Sequence, residues 1–108
     1  MDFDKIKVVP LMNGREYIGI VVESHNQDVV VIEKAHVLVR QRTANGEIEV
    51  GLAPGRVYGK EDTVEVYKEF LIEKPYAPND DLLKSYVGLI SADEMGLHLP
   101  PQKSIITP

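Results

Sequence analysis

The run from Leu11 to Leu38, LMNGREYIGIVVESHNQDVVVIEKAHVL, leaves this chain few ways to fold. It opens on Asn13-Gly14, set between two apolar segments. This is the strongest short-range hairpin signal, because both residues tolerate positive φ. The strand that follows runs from Arg15 to about Glu23. Tyr17, Gly19 and Val21 lie on one face, and Ile18, Ile20 and Val22 on the other. Both faces are largely apolar, whereas a strand at the surface shows polar residues on one side. One face must fill a core, and the other must be covered by a helix or by a neighbouring subunit. Gly19, in mid-strand, marks a bend or a close backbone approach. No apolar spacing of helical period competes with this reading.

The rest of the chain continues the pattern. Before the hairpin, Ile6, Val8 and Leu11 alternate with Lys5 and Lys7 as a first strand, which Pro10 ends or holds at an edge. After the second strand, Ser24-His25-Asn26-Gln27-Asp28 is a polar turn. Val29 to Ile32 then starts a third strand, Glu33-Lys34-Ala35 interrupts it in the manner of a bulge, and Val37-Leu38-Val39 resumes it. A second hairpin signal, Asn45-Gly46, leads to Ile48, Val50 and Leu52 in clean alternation. A loop spans Ala53 to Asp62. Val64 and Val66 form a short strand, Tyr67-Lys68-Glu69 breaks it, and Phe70-Leu71-Ile72 is a further apolar strand. Pro75 and Pro78 require an extended connection. Asn79-Asp80-Asp81 then has the chemistry of a helix start, and Leu82, Leu83, Tyr86 and Ile90 give a helix from about Asp80 to Leu89 one apolar face. Residues 93–108 read as an extended tail, after a domain covering 1–92.

Composition narrows the partners. A chain of 108 residues with 44% apolar and 27% charged residues fits one globular domain. Its net charge of -5 argues against broad, non-specific nucleic-acid binding and leaves room for a local basic patch. It has no Cys, which suits a reducing cytoplasm and excludes thiolate chemistry. No run of about 18 apolar residues is present to span a membrane, and MDFDKIK lacks the apolar core of a signal peptide.

Short strands in sequence, tight turns and one terminal helix predict an all-β fold: a small, strongly bent five-stranded antiparallel barrel with a C-terminal helix. The edges of such a sheet are expected to pair between subunits. At this point LMNGREYIGIVVE followed by VVVIEKA resembles the first motif of Sm-like proteins, with Leu11, Gly14, Tyr17, Gly19, Val21, Val31 and Ala35 at the matching positions. The run GLAPGRVY, the segments Val64–Val66 and Phe70–Ile72, and LLKSY look like the small Sm-like proteins of tailed cyanophages and marine viral sequence collections. The match covers roughly Val8 to Tyr86.

The resemblance implies an Sm-like, SH3-like barrel whose fourth strand pairs with the fifth strand of a neighbour. That closes a homo-oligomeric ring of five to seven copies, with Val64, Val66, Phe70 and Ile72 at the interface. It also implies single-stranded RNA at the pore. His25 and Asn26 would stack on and hydrogen-bond an unpaired base, and Lys68 would meet phosphate. Arg40 and Arg42 share a strand face and, with Arg15 and Arg56, are candidates for a phosphate patch. Tyr58 and Tyr67 are further stacking candidates. For each, the plainer reading is a solvated turn or strand rim. Three departures from the family pattern stand out. The turn Ser24–Asp28 is shorter than usual, Tyr67-Lys68-Glu69 replaces the Arg-Gly pair, and the helix comes last. A ring that docks a phage or host protein through its tail or pore face, without RNA, is the alternative.

Enzyme chemistry has little to stand on. His25, His36 and His98 lack metal-ligand spacing, Asp80-Asp81 and Asp93-Glu94 read as capping or solubilising pairs, and Gly51, Gly55 and Gly59 lack the Lys-Ser/Thr of a phosphate loop. No catalytic residue, metal or cofactor is expected.

Overall fold

Two Asn-Gly turns set the sheet's registers. The computed structural model describes residues 3–56, 61–94 and 103–106, with the backbone alone for 93, 94 and 103–106. In the first turn the Gly14 amide donates to the Leu11 carbonyl at 3.0 Å, and the Leu11 amide to the Arg15 carbonyl at 2.9 Å. The second repeats this, with Gly46 donating to Thr43 and Thr43 to Glu47. Gly14 and Gly46 stand at φ 88° and 81°, while Asn13 and Asn45 stay at negative φ. Each is therefore a three-residue loop with a terminal left-handed Gly, not the two-residue turn with both residues at positive φ that the pair alone suggests. The Asn13 side chain holds the first turn by accepting from the Arg15 amide at 2.9 Å.

Strand β1 (Ile6–Pro10) pairs antiparallel with β2 (Glu16–Val22), and β2 with β3 (Val29–Arg42). β3 is one strand of 14 residues, continuous through the expected interruption. Its interruption is a bulge: Ile20 faces Glu33 and Ile18 faces His36, so β3 carries one extra residue. Lys34 takes up the distortion at φ 50°, the one non-glycine at positive φ among the described residues. Gly19 lies across from it. A Cβ at Gly19 would come within 2.4 Å of Ile32 Cγ2 and 2.8 Å of the Glu33 carbonyl, so the close backbone approach expected there is real.

At the bulge β3 also changes partners. Val29–Ile32 pair with β5 (Val64–Tyr67), and His36–Arg42 pair with β4 (Ile48–Pro54). In the gap the Ala35 amide donates to the Asp62 carbonyl and the Ala35 carbonyl accepts from the Gly55 amide, both at 2.9 Å, so the buried backbone stays satisfied. After β5, Lys68–Phe70 form a 3₁₀ turn. The strand expected at Phe70–Ile72 is reduced to isolated contacts, because the Leu71 amide turns back to the Lys68 carbonyl. Those contacts still reach β1. Leu71 bridges Leu11, Ile72 donates to the Pro10 carbonyl, and Val8 and Tyr76 exchange amide–carbonyl bonds.

Helix α1 (Asp80–Glu94) begins where Asn79 Oδ1 accepts from the Leu82 amide at 2.8 Å. It runs past the expected end at Leu89, because Ile90 and Ala92 carry its buried face onward. The tail is not wholly without structure: β6 (Lys103–Ile106) pairs antiparallel with the outer edge of β4. Among the described residues no helix is long and apolar enough to cross a membrane.

The core has two parts, one on each flank of β2. Ile6, Val8, Ile18 and Leu52 pack against Leu82, Tyr86, Leu89 and Ile90 of α1. On the other flank Val9, Leu11, Tyr17, Val30, Ile32, Ala35, Val64 and Val66 pack together. Both faces of β2 are thus covered within one chain, the Ile18 face by the helix and the Tyr17 face by strands.

Candidate functional site

The turn between β2 and β3 is held by its own side chains. Ser24 Oγ accepts from the Asn26 amide at 3.1 Å, and Asn26 Oδ1 from the Asp28 amide at 2.9 Å. The turn is then joined to a second one: the Lys68 amide, at the head of the 3₁₀ turn, donates to the Asp28 carbonyl at 2.8 Å. Pairing of Val29 with Tyr67 forces this neighbourhood. His25, Asn26 and Lys68 are all exposed and lie on turns that meet, so the fold assembles three of the residues singled out for RNA. The Asn26 carbonyl oxygen is engaged in holding its turn. Glu65 and Glu69, both exposed, flank Lys68 in the chain.

Arg40 and Arg42 do not join them. They lie on the far half of β3, opposite Val50 and Ile48 of β4. Arg40 Nη2 is ion-paired with Glu16 Oε1, and Glu16 Oε2 accepts from the Tyr76 hydroxyl at 3.2 Å. The phosphate patch of four arginines is also dispersed. Arg15 turns to the Tyr17 hydroxyl at 3.4 Å, and Arg56 donates to the Thr63 carbonyl at 2.9 Å. Tyr58 lies outside the described residues.

The interface residues divide as well. Val64 and Val66 are buried against Val30 and Ile32, so their side chains belong to this chain's own core and are not available to a neighbour. Phe70 and Ile72 are 51% and 61% exposed. A cleft of about 440 Å³ runs between the first Asn-Gly turn and β5, lined by Leu11, Met12, Tyr17, Val66, Tyr67 and Phe70 among others. Tyr67 and Phe70 meet edge to face on its rim, with ring centroids 6.3 Å apart. Met12, 67% exposed, was not singled out by sequence reading, since a Met in a turn carries no periodic signal.

The backbone of β5 matters here. The Lys68–Asp28 bond fixes the alternation, so Val64, Val66 and Lys68 aim their peptide groups at β3 while Glu65 and Tyr67 aim theirs outward. Among the described residues no strand pairs with that outer edge.

A second cluster, which sequence reading missed, sits under the helix. The Lys34 carbonyl, displaced by the bulge, accepts from the Tyr86 hydroxyl at 2.9 Å and lies 2.9 Å from His36 Nδ1. A carbonyl only accepts, so Nδ1 carries the proton. The two rings meet edge to face at 5.7 Å. Burial, and then the Asp62 carboxylate, push the Tyr86 hydroxyl pKa well above its ordinary value. This cluster anchors α1 and does not reach the turns. No known family model matches the chain, and no curated protein matches it.

Proposed function

We propose that this chain is the subunit of a homo-oligomeric Sm-like ring, and that the rim where the Ser24–Asp28 turn meets Lys68 holds single-stranded RNA. The observation that carries the assembly is the outward edge of β5, lying beside a cleft rimmed by exposed Met12, Tyr67 and Phe70. An unpaired edge next to exposed apolar surface is where another strand adds. The circuit of pairing from β1 through β2, β3 and β5, returned to β1 by Leu71, Ile72 and Tyr76, supports reading the sheet as a small barrel of Sm-like kind. Glu65 and Tyr67 then contribute backbone to the junction, and Phe70 and Ile72 contribute side chains, while Val64 and Val66 support it from the core. The meeting of the two turns supports the RNA clause, with His25 stacking on a base and Lys68 facing phosphate.

Native mass spectrometry tests the ring, with five to seven copies expected and a monomer at micromolar concentration counting against it. Fluorescence titration with short U-rich and A-rich oligonucleotides tests the RNA clause. Binding at low salt should weaken in Lys68→Glu and in His25→Ala, with a salt dependence set by the few phosphates contacted. Absent or unchanged binding removes RNA and leaves a ring that docks protein. The net charge of -5 and the glutamates beside Lys68 favour that second reading.

A further inference from the structure

The outer edge of β4 is already occupied by a strand of this chain. In β6, Ile106 faces Ile48, Ile105 faces Glu49, Ser104 faces Val50 and Lys103 faces Gly51. Val50 and Leu52 are buried, so the alternation of β4 itself is fixed by the core. The edge therefore presents a fixed main-chain ladder, and Lys103–Ile106 occupy four positions of it in antiparallel register. Residues 95–102 join α1 to β6, eight residues that fully extended reach about 26–29 Å.

We propose that the outer edge of β4 is a strand-exchange surface whose partner is a second copy of this chain, the Lys103–Ile106 strand of one copy taking the place of the other's. The bonds made are the same whichever copy supplies the strand, so the choice rests on proximity alone. A connection this short holds the tail at roughly millimolar local concentration, and a neighbour must be comparably close to compete. Occurrence in the wild-type protein therefore rests on the assembly proposed above. The two surfaces differ, since assembly uses the edge of β5 and exchange uses the edge of β4.

The test is a labelled peptide spanning residues 101–108, titrated by fluorescence anisotropy against the full-length chain and against full-length Ser104→Pro/Ile105→Pro. The variant should bind at least tenfold more tightly than the wild type, and a peptide carrying Ile105→Pro should not bind. Equal binding to both chains, or binding to neither, overturns the proposal. The absence of Cys allows a second measurement that avoids proline. Glu49→Cys and Ile105→Cys chains are mixed and oxidised, and a disulfide joining the two is expected. A disulfide forming only within the double variant, or not at all, overturns exchange. A native mass spectrum showing a ring without peptide binding removes exchange alone. Peptide binding to the variant alongside a monomeric wild type supports the edge and removes the ring.

Discussion

Ile18 and Tyr17 are adjacent residues of β2, both buried, and the clusters they enter are completed in different ways. On the Ile18 flank the strands stop short and α1 seals them with Leu82, Tyr86, Leu89 and Ile90. On the Tyr17 flank strands do all the covering, and the cluster opens at one end into the cleft beside β5, where Met12, Tyr67 and Phe70 stay exposed. The chain covers both faces of β2, but not equally. It closes one with its helix and leaves the other with an apolar margin, and the margin is where a second copy is proposed to add.

The sharpest way to break this comparison is at Tyr86, which is fully buried and ties α1 to the bulge. Tyr86→Ala removes the largest side chain of the sealed flank and should lower stability by about 3–5 kcal/mol. Urea unfolding measures it, and a loss below about 1.5 kcal/mol would mean the helix is not the seal. Gly19→Ala comes next. Its Cβ would meet Ile32 Cγ2 and the Glu33 carbonyl, the second of them backbone at the bulge, so β2 and β3 must separate. A loss of about 1–3 kcal/mol is expected. A neutral result would show that the bulge yields freely and that the two flanks are not held in register by it.

Much of this was legible beforehand, for physical reasons that can be named. Asn13-Gly14 and Asn45-Gly46 mark turns because few residues accept positive φ, though the pair alone does not separate a two-residue loop from a three-residue one. Gly19 announced a bend or a close approach, and the space a Cβ would need is taken by Ile32 and the Glu33 carbonyl. Asn79 announced the helix start through its side-chain oxygen. The bulge in β3 was legible as the break at Glu33-Lys34-Ala35 in an otherwise apolar strand, though Lys34 at positive φ has no sequence signature of its own. The anchoring pair His36 and Tyr86 was hidden for a related reason: their shared acceptor is a main-chain carbonyl placed by that bulge. For the candidate site, periodicity put Val64 and Val66 on one face but could not say whether that face met the core or a neighbour. Strand β6 was masked by the prolines around it.

A gentler change at the same anchor sharpens the comparison through pH. Tyr86→Phe keeps the ring and removes one donor to a carbonyl that still has His36 Nδ1, so about 0.5–1.5 kcal/mol should be lost at neutral pH. The Tyr86 hydroxyl pKa is raised by burial and then by Asp62, so the folded chain keeps a proton that the unfolded chain releases near pH 10. Stability is full below that pH and falls as pH rises past it. Burial and then Glu16 raise Tyr76 in the same direction, so the alkaline fall should become shallower in Tyr86→Phe without vanishing. An unchanged slope would detach Tyr86 from the seal.

The smallest expected effect falls on the open flank and decides most about it. Phe70 is half exposed and rests its ring on Tyr67, so Phe70→Ser should change the stability of a single chain by no more than about 0.5 kcal/mol. If the margin is where copies meet, the wild type should unfold at higher denaturant as protein concentration rises, because association stabilises only the folded form. In Phe70→Ser that concentration dependence should fade while the midpoint at high dilution stays put. A loss above about 2 kcal/mol at high dilution would instead make Phe70 part of the chain's own core. The two flanks of β2 would then be equally closed, and nothing would be left over for a partner.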